Sequence, residues 1–284
     1  MNEKQITREA HAKINLTLDV TGRRADGYHT VEMVMQSVGL HDDVTVRLAD
    51  GISLTCSRPD LPTDSGNLAF RAAELFFRET GAAGGCAIHI EKRIPVAAGL
   101  AGGSTNAAAV LRALDALYGA GLSDDTLCAM GLKLGADVPF CLLGGTMLAE
   151  GIGEKLTRLP AAPRGCAVLC KPPFAVSTKA VYEAIDSVAL PERPDTAGML
   201  RAIEAGNWHG VCARLSNVME MVTAEHHPEI GEIRRVLLDC GADGARMSGS
   251  GPTVYGLFSV KTDAETAVQR LKSRFADTFL TELV

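Results

Sequence analysis

The strongest chemical signal in the chain is a run of small residues, Pro95-Val96-Ala97-Ala98-Gly99-Leu100-Ala101-Gly102-Gly103-Ser104-Thr105-Asn106. Glycine reaches positive φ and lets an anion approach the backbone closely. Successive N–H groups then converge on one concavity. Apolar residues follow at helical spacing, through Ala107, Val110, Leu111, Leu114 and Leu117. The run therefore opens a helix, whose N-terminus adds unpaired donors and partial positive charge. Ser104 and Thr105 supply hydroxyls that can donate to phosphate, and either could ligate Mg²⁺. This chemistry is phosphate binding. The Gly-Lys-Ser/Thr ending of a Walker loop is missing, and so is the Gly-x-Gly-x-x-Gly spacing of a dinucleotide site. A tight strand-to-helix turn would also use small residues, but the unbroken stretch Gly102 to Ala107 exceeds what close packing requires.

Phosphoryl transfer to a hydroxyl also needs a proton acceptor, a cation and a metal. Asp137 lies in Gly135-Ala136-Asp137-Val138-Pro139, just past an expected helix end. Pro139 disfavours helix at Val138, so an irregular turn is expected here. Such an aspartate can act as a base or hold Mg²⁺. Lys13 and Asn15 share one face of an expected strand. A lysine close to Asp137 would keep it ionised and stabilise developing charge. Taken singly, Asp137 reads better as a turn residue bonding its own backbone, and Lys13 better as part of a solvated strand face. A second donor-rich loop, Ser248-Gly249-Ser250-Gly251-Pro252-Thr253, could support the first or be an ordinary turn before a strand. Neither serine fits a Gly-x-Ser-x-Gly elbow. His226 and His227 are neighbours on an expected helix and do not face each other, so they are surface residues rather than a chelate.

Strands are expected over about residues 10–20, 30–38, 44–48, 52–56, 87–92, 146–149, 167–170 and 254–258, with 44–48 and 52–56 as a pair. Helices are expected over 67–80, into and beyond 107–117, and over 124–134, 177–187, 196–205, 208–221, 229–239 and 263–275. Pro160 to Gly165 reads as a linker, dividing the chain into domains 1–159 and 160–284. Both halves mix helix with mostly antiparallel strand, which is an α+β class.

A net charge of −6 over 284 residues excludes the broad basic face of a nucleic-acid binder. Eight scattered cysteines include no Cys-x-x-Cys pair and read as reduced, buried thiols. No apolar run reaches the ~20 residues of a membrane span. The N-terminal segment has no signal-peptide character, and a cytoplasmic location is expected.

Three motifs, in order, resemble those of the kinase superfamily named for galactokinase, homoserine kinase, mevalonate kinase and phosphomevalonate kinase. They are Ala12-Lys13-Ile14-Asn15-Leu16, the loop from Gly99 to Ala108, and Ser248 to Thr253. Arg24-Ala25-Asp26-Gly27-Tyr28-His29, Gly135 to Phe140 and Leu215-Ser216-Asn217 are similar to the branch acting on a CDP-linked methylerythritol. The resemblance implies a two-domain α+β fold with the active site in the interdomain cleft. It implies ATP as phosphoryl donor with Mg²⁺, transfer to the 2-hydroxyl of the methylerythritol, and a place in non-mevalonate isoprenoid synthesis. No nucleic acid, membrane or protein partner is implied.

The same resemblance makes Asp137 the base and Lys13 its electrostatic partner, with Asn15 orienting substrate. Pro95, Gly99, Leu100, Ala101, Gly102, Gly103, Ser104, Thr105 and Asn106 become the ATP loop, supported by Ser248, Gly249, Ser250 and Gly251. Tyr28 would stack on cytosine and His29 read its edge, with Thr178 supplying a hydroxyl and Tyr182 a second ring. Ala101 stands where many relatives have glycine, Thr105 where many have serine, and Tyr182 where many have phenylalanine. A sister kinase for homoserine, mevalonate or a sugar would share the three motifs without Tyr28-His29. A non-catalytic nucleotide- or RNA-binding module would lack the Lys13 and Asp137 pair.

Overall fold

The computed structural model describes residues 4–188 and 192–284. Two compact units emerge. Among the described residues, the first comprises 4–12, 41–96 and 101–144, and the second 13–40, 97–100, 145–188 and 192–284.

In the first unit, the start of β1 (Gln5–Arg23) and the end of β2 (His29–Ala49) belong to a sheet with β3 (Ser53–Cys56). Helix α1 (Leu68–Thr80), strand β4 (Gly85–Glu91), and helices α2 (Gly102–Tyr118), α3 (Asp124–Leu132) and α4 (Val138–Leu143) complete it. β2 pairs antiparallel with β4, from Asp43 opposite Glu91 to Ala49 opposite Gly85. The expected pairing of 44–48 with 52–56 is not formed, because β3 runs parallel to β4 instead. The apolar residues of 52–56 suit either partner, so pattern alone could not choose between them. α1 begins where Asn67 accepts a hydrogen bond from the Ala69 N–H at 3.0 Å and ends at left-handed Gly81. Its buried face, with Ala72 and Phe76, packs against Ala107, Val110, Leu111 and Leu114 of α2 around Val44, Val46, Ile88 and Ile90 of the sheet. Alanines on α2 let the two helices approach closely.

The second unit takes the rest of β1 and β2 and adds β5 (Thr146–Gly151), β6 (Lys155–Arg158) and β7 (Cys166–Lys171). α5 (Thr178–Ile185), α6 (Thr196–Glu204), α7 (Trp208–Cys212), β8 (Ser216–Asn217), α8 (Val218–His226) and α9 (Pro228–Asp239) follow. β9 (Gly244–Met247), β10 (Val254–Phe258), α10 (Lys261–Lys272) and β11 (Asp277–Glu282) end the chain. β5 pairs antiparallel with β2 and β6, and β8 lies parallel to β1 through Thr17 and Leu18. A separate antiparallel sheet runs β11-β7-β10-β9.

Several expectations change. Residues 30–38 and 44–48 belong to one 21-residue strand. The helix expected over 208–221 breaks at β8, where Asn217 is extended and caps α8. Pro139 sits within the first turn of α4, where a missing N–H costs nothing, so a helix forms where a turn was expected. β11 went unseen because its two buried positions are threonines and its apolar pair, Phe279 and Leu280, is adjacent rather than alternating. All eight cysteines are free, but only Cys86, Cys170 and Cys212 are fully buried. Burial pushes Cys86 up to about 11 and Cys170 and Cys212 up to about 12. His226 is exposed as expected, while His227 is half-buried and stacks on Phe174 at 4.1 Å.

Trp208 donates from Nε1 to Asp243 Oδ2 at 2.8 Å, and the Ser259 N–H donates to the same oxygen at 2.7 Å. Burial alone would raise the Asp243 carboxyl, but these hydrogen bonds outweigh it and hold the group below its ordinary 3.8. A depressed carboxyl contributes stability that is complete above its unfolded value and lost as pH falls through the folded one. Trp208 is the chain's one tryptophan. Its emission should stay flat as pH falls to 3.8 and change below it, and Asp243→Asn should abolish that transition. A change already complete above pH 3.8 would mean the carboxyl is not depressed.

Candidate active site

The glycine-rich loop enters its helix through a strained backbone. Ala97 and Ala101 both have positive φ, 50° and 58°. Ala101 is the N-cap of α2, and its methyl cannot accept a hydrogen bond. The first N–H groups of a helix have no intrahelical partner, so those of Gly102, Gly103 and Ser104 have no acceptor within α2. Thr105 already donates from its backbone to Ala101 at 2.9 Å. Leu100, Thr105 and Asn106 are buried and turn their side chains inward, and Pro95 is buried too. The outward chemistry therefore narrows to Gly102, Gly103 and Ser104. Ser104 Oγ lies 4.0 Å from where a Cβ on Gly135 would stand, so the helix start and the Gly135–Asp137 turn are neighbours. Asp137 is half-buried and precedes α4, yet its side chain does not cap that helix. Its carboxylate is not consumed by the turn that holds it.

Asp42, which the sequence reading passed over, organises this region. Its carboxylate is fully buried. It accepts from Lys92 Nζ at 2.6 Å, the Arg93 N–H at 2.7 Å, the Ile94 N–H at 2.8 Å and Asn106 Nδ2 at 2.8 Å. Burial lowers the Lys92 pKa, with the Asp42 charge opposing it. Lys92 Nζ also donates to the Ile94 carbonyl and would stand 3.0 Å from a Cβ on Gly102. Asp42 thus joins the end of β2, the exit from β4 and the first turns of α2.

The second unit assembles the remaining residues. Lys13 and Asn15 do not lie on a solvated face: they are 4% and 0% exposed. Lys13 Nζ donates to Asn15 Oδ1 at 2.7 Å, and Asn15 Nδ2 donates to Met33 Sδ at 3.2 Å. The Lys13 N–H donates to the Leu100 carbonyl, and Ser248 Oγ donates to the Gly99 carbonyl at 3.0 Å. A side chain on Gly99 (φ 72°) would strike the Ser248 carbonyl, so the two loops meet backbone to backbone. Gly249 covers the Lys13 ammonium, 3.6 Å from its Cβ position. Asn217 holds this loop by donating to the carbonyls of Met247 and Gly249, both at 2.8 Å. Thr178 and Ser250 share a hydroxyl hydrogen bond of 2.8 Å, and Gly251, like its neighbours, is buried.

His29 and Tyr182 stack with ring centroids 5.0 Å apart and planes 19° apart. His29 Nε2 stands 2.7 Å from Asp186 Oδ1, and Arg23 holds the other oxygen at 3.0 Å. The His29 hydrogen bond keeps the Asp186 carboxyl below its ordinary range. A carboxylate only accepts, so Nε2 carries the proton and Nδ1 is left for another partner. Asp186 lies 157 residues from His29, a separation at which nothing in the sequence could announce the pair. Tyr28 is 62% exposed beside this cluster.

A glycine-rich loop opening α2 and a second glycine loop, each on an α+β unit, frame the candidate site. The model of the GHMP kinase N-terminal domain matches residues 67–145, and that of the GHMP kinase C-terminal domain matches 199–277. A solved homoserine kinase from Cytophaga hutchinsonii superposes over 100% of this chain and 96% of its own with a TM-score of 0.77 at 19% identity, a likeness of fold. A crystal structure of 4-(cytidine 5'-diphospho)-2C-methyl-D-erythritol kinase superposes over 98% of this chain and 99% of its own, with a TM-score of 0.83 and 36% identity. The 4-diphosphocytidyl-2-C-methyl-D-erythritol kinase of Caldicellulosiruptor saccharolyticus is 47% identical over 96% of this chain and 95% of its own. The chain has the GHMP kinase fold and is an ATP-dependent kinase. Within that class it belongs to the 4-diphosphocytidyl-2-C-methyl-D-erythritol kinase family.

Proposed function

We propose that the chain transfers the γ-phosphoryl group of ATP to the 2-hydroxyl of 4-diphosphocytidyl-2-C-methyl-D-erythritol, a step of non-mevalonate isoprenoid precursor synthesis. The observation that carries this reading is the 47% identity with a kinase of that name, running over nearly the whole chain. The N–H groups of Gly102, Gly103 and Ser104 hold ATP phosphate oxygens at the start of α2. Asp137 accepts the hydroxyl proton as the new P–O bond forms and ADP departs. Lys13, held by Asn15, offers positive charge to the transferred group. The oxygen donors Ser104 and Asp137 fit Mg²⁺ bound with ATP, and the ion supplies neutralisation of phosphate charge.

Cytosine stacks on the exposed ring of Tyr28, with Tyr182 and Thr178 completing its surroundings. His29, its Nε2–H committed to Asp186, turns its other ring nitrogen, Nδ1, to the base edge, where the exocyclic amine distinguishes cytosine from uracil. Residues 1–159 and 160–284 are proposed as the two domains. The two family-model matches fall on either side of that boundary. Among the described residues no helix is long and apolar enough to cross a membrane. The proposed location is the cytoplasm, and no protein partner is required.

ATP consumption should be measured with Mg²⁺ against the CDP-linked methylerythritol, homoserine, mevalonate and galactose. Turnover of the CDP compound alone is the expected result, and turnover of another substrate instead would overturn the assignment. CMP should bind and UMP should bind more weakly. Tyr28→Ala should weaken CMP roughly 5- to 150-fold, the range for losing one base–aromatic stack. Equal binding of CMP and UMP would remove His29 from base reading.

A further inference from the structure

A second group of donor side chains gathers on β1 and β2 within the first unit, and the phosphoryl chemistry makes no use of it. Glu9 and His11 are two residues apart on β1 and so share a face. His41 lies on β2, the neighbouring strand. His11 Nε2 stands 3.3 Å from one oxygen of Glu9, and His41 Nε2 stands 3.9 Å from the other. The imidazoles meet edge to face, with centroids 5.3 Å apart. The three ligand atoms all lie within 4.8 Å of one another. Both rings thus aim the same nitrogen at one carboxylate.

In a tetrahedral zinc site, ligand atoms about 2.0–2.2 Å from the metal are roughly 3.3–3.6 Å apart. The observed spacing needs only a small closure to match. Asp43 adds a fourth oxygen nearby: its Oδ1 is 3.6 Å from His41 Nε2, while its Oδ2 is anchored by Arg93 at 2.6 Å. The side chains of His11, His41 and Glu9 are 34%, 27% and 60% exposed, so an ion can enter from solvent and keep water on its open side.

We propose that Glu9, His11 and His41 form a binding site for a divalent transition ion of the zinc class, separate from the Mg²⁺ that accompanies ATP. Two imidazoles and a carboxylate favour zinc, cobalt, nickel or copper, whereas Mg²⁺ takes oxygen ligands. An ion held across β1 and β2 ties the two strands together and stabilises the folded chain by mass action.

The test uses the chelator-treated full chain without nucleotide, titrated with ZnCl₂ by calorimetry and with CoCl₂ by absorption. The expected result is a single equivalent with visible ligand-field bands, no thiolate charge-transfer band, and a raised Tm. Excess Mg²⁺ should not displace it. His11→Ala and His41→Ala should each weaken binding at least ~10-fold, and Glu9→Gln should weaken it while preserving side-chain shape. All three positions are partly exposed, and circular dichroism would verify that the variants fold. Thiolate bands would assign the metal to the cysteines and overturn the proposal. So would affinity unchanged in the variants, or no saturable binding below about 1 mM.

Discussion

Asp137→Ala is expected to lower kcat by about 10²- to 10⁴-fold, the usual range for removing a general acid or base. The prediction is sharp because Asp137 does little for its own surroundings. Its side chain does not cap α4. That helix is started by Pro139 in its first turn and ended where the Gly144 N–H donates to the Phe140 carbonyl at 2.7 Å. The turn before it closes through the Val138 N–H and the Gly135 carbonyl. All of these survive loss of the carboxylate, so Tm should move little and CMP should bind as before. Asp137→Asn distinguishes base from positioner. An amide can orient a hydroxyl but cannot take its proton, so activity retained by asparagine and lost by alanine would mean Asp137 only aligns the substrate. Unchanged kcat in both variants would remove it from the reaction, and a large fall in Tm would make its role structural.

Asp42→Ala is expected to destabilise the fold by about 3–5 kcal/mol, the cost of leaving one member of a buried ion pair without its partner. Lys92 would lose its counter-charge in a site where its side chain is 6% exposed. The Arg93 and Ile94 N–H groups and Asn106 Nδ2 would lose their acceptor at the same time. Thermal unfolding should fall by on the order of 10 °C. The same carboxylate holds the first turns of α2, so KM for ATP should rise by more than kcat falls. Combining Asp42→Ala with Lys92→Met removes the stranded charge, and stability should partly return. KM should not return with it, because Asn106 and the two N–H groups remain unanchored. Recovery of both together would reduce Asp42 to a purely structural residue, and an unchanged Tm would contradict its burial.

The glycine-rich loop and the helix it opens were legible because they are contiguous: glycines, hydroxyls and an apolar-periodic helix follow one another within about twenty residues. Lys13 and Asn15 were legible as a pair, since period two puts them on one face, but not as a buried pair. The alternation of Lys13, Asn15, Thr17 and Asp19 with apolar residues reads as one wet face, yet residues 12–20 are buried on both faces. Asp42 was hidden by its neighbour: Asp42-Asp43 in sequence looks like a polar turn, yet Asp43 is partly exposed and Asp42 is not. Asp186 was hidden by distance along the chain. The α4 helix is hidden in the sequence because proline disfavours helix at the residue before it but is itself tolerated in a helix's first turn, where Pro139 sits. The α+β class followed from the mixture of periods, whereas strand partners such as β3 with β4 depend on tertiary packing that no local pattern encodes.

The left-handed alanines at 97 and 101 have a thermodynamic consequence for nucleotide affinity. A non-glycine residue held in that region costs of order 1–3 kcal/mol, and the cost falls on the folding equilibrium of the empty protein. The loop is bent at both alanines and α2 begins without a side-chain cap. If this loop is the phosphate site proposed above, a backbone held this way would leave little ordering cost to binding, and each donor would contribute to affinity at nearly full strength. Relaxing the strain would make the protein more stable and a poorer receptor for the same anion, a trade in which stability and recognition draw on the same few dihedral angles.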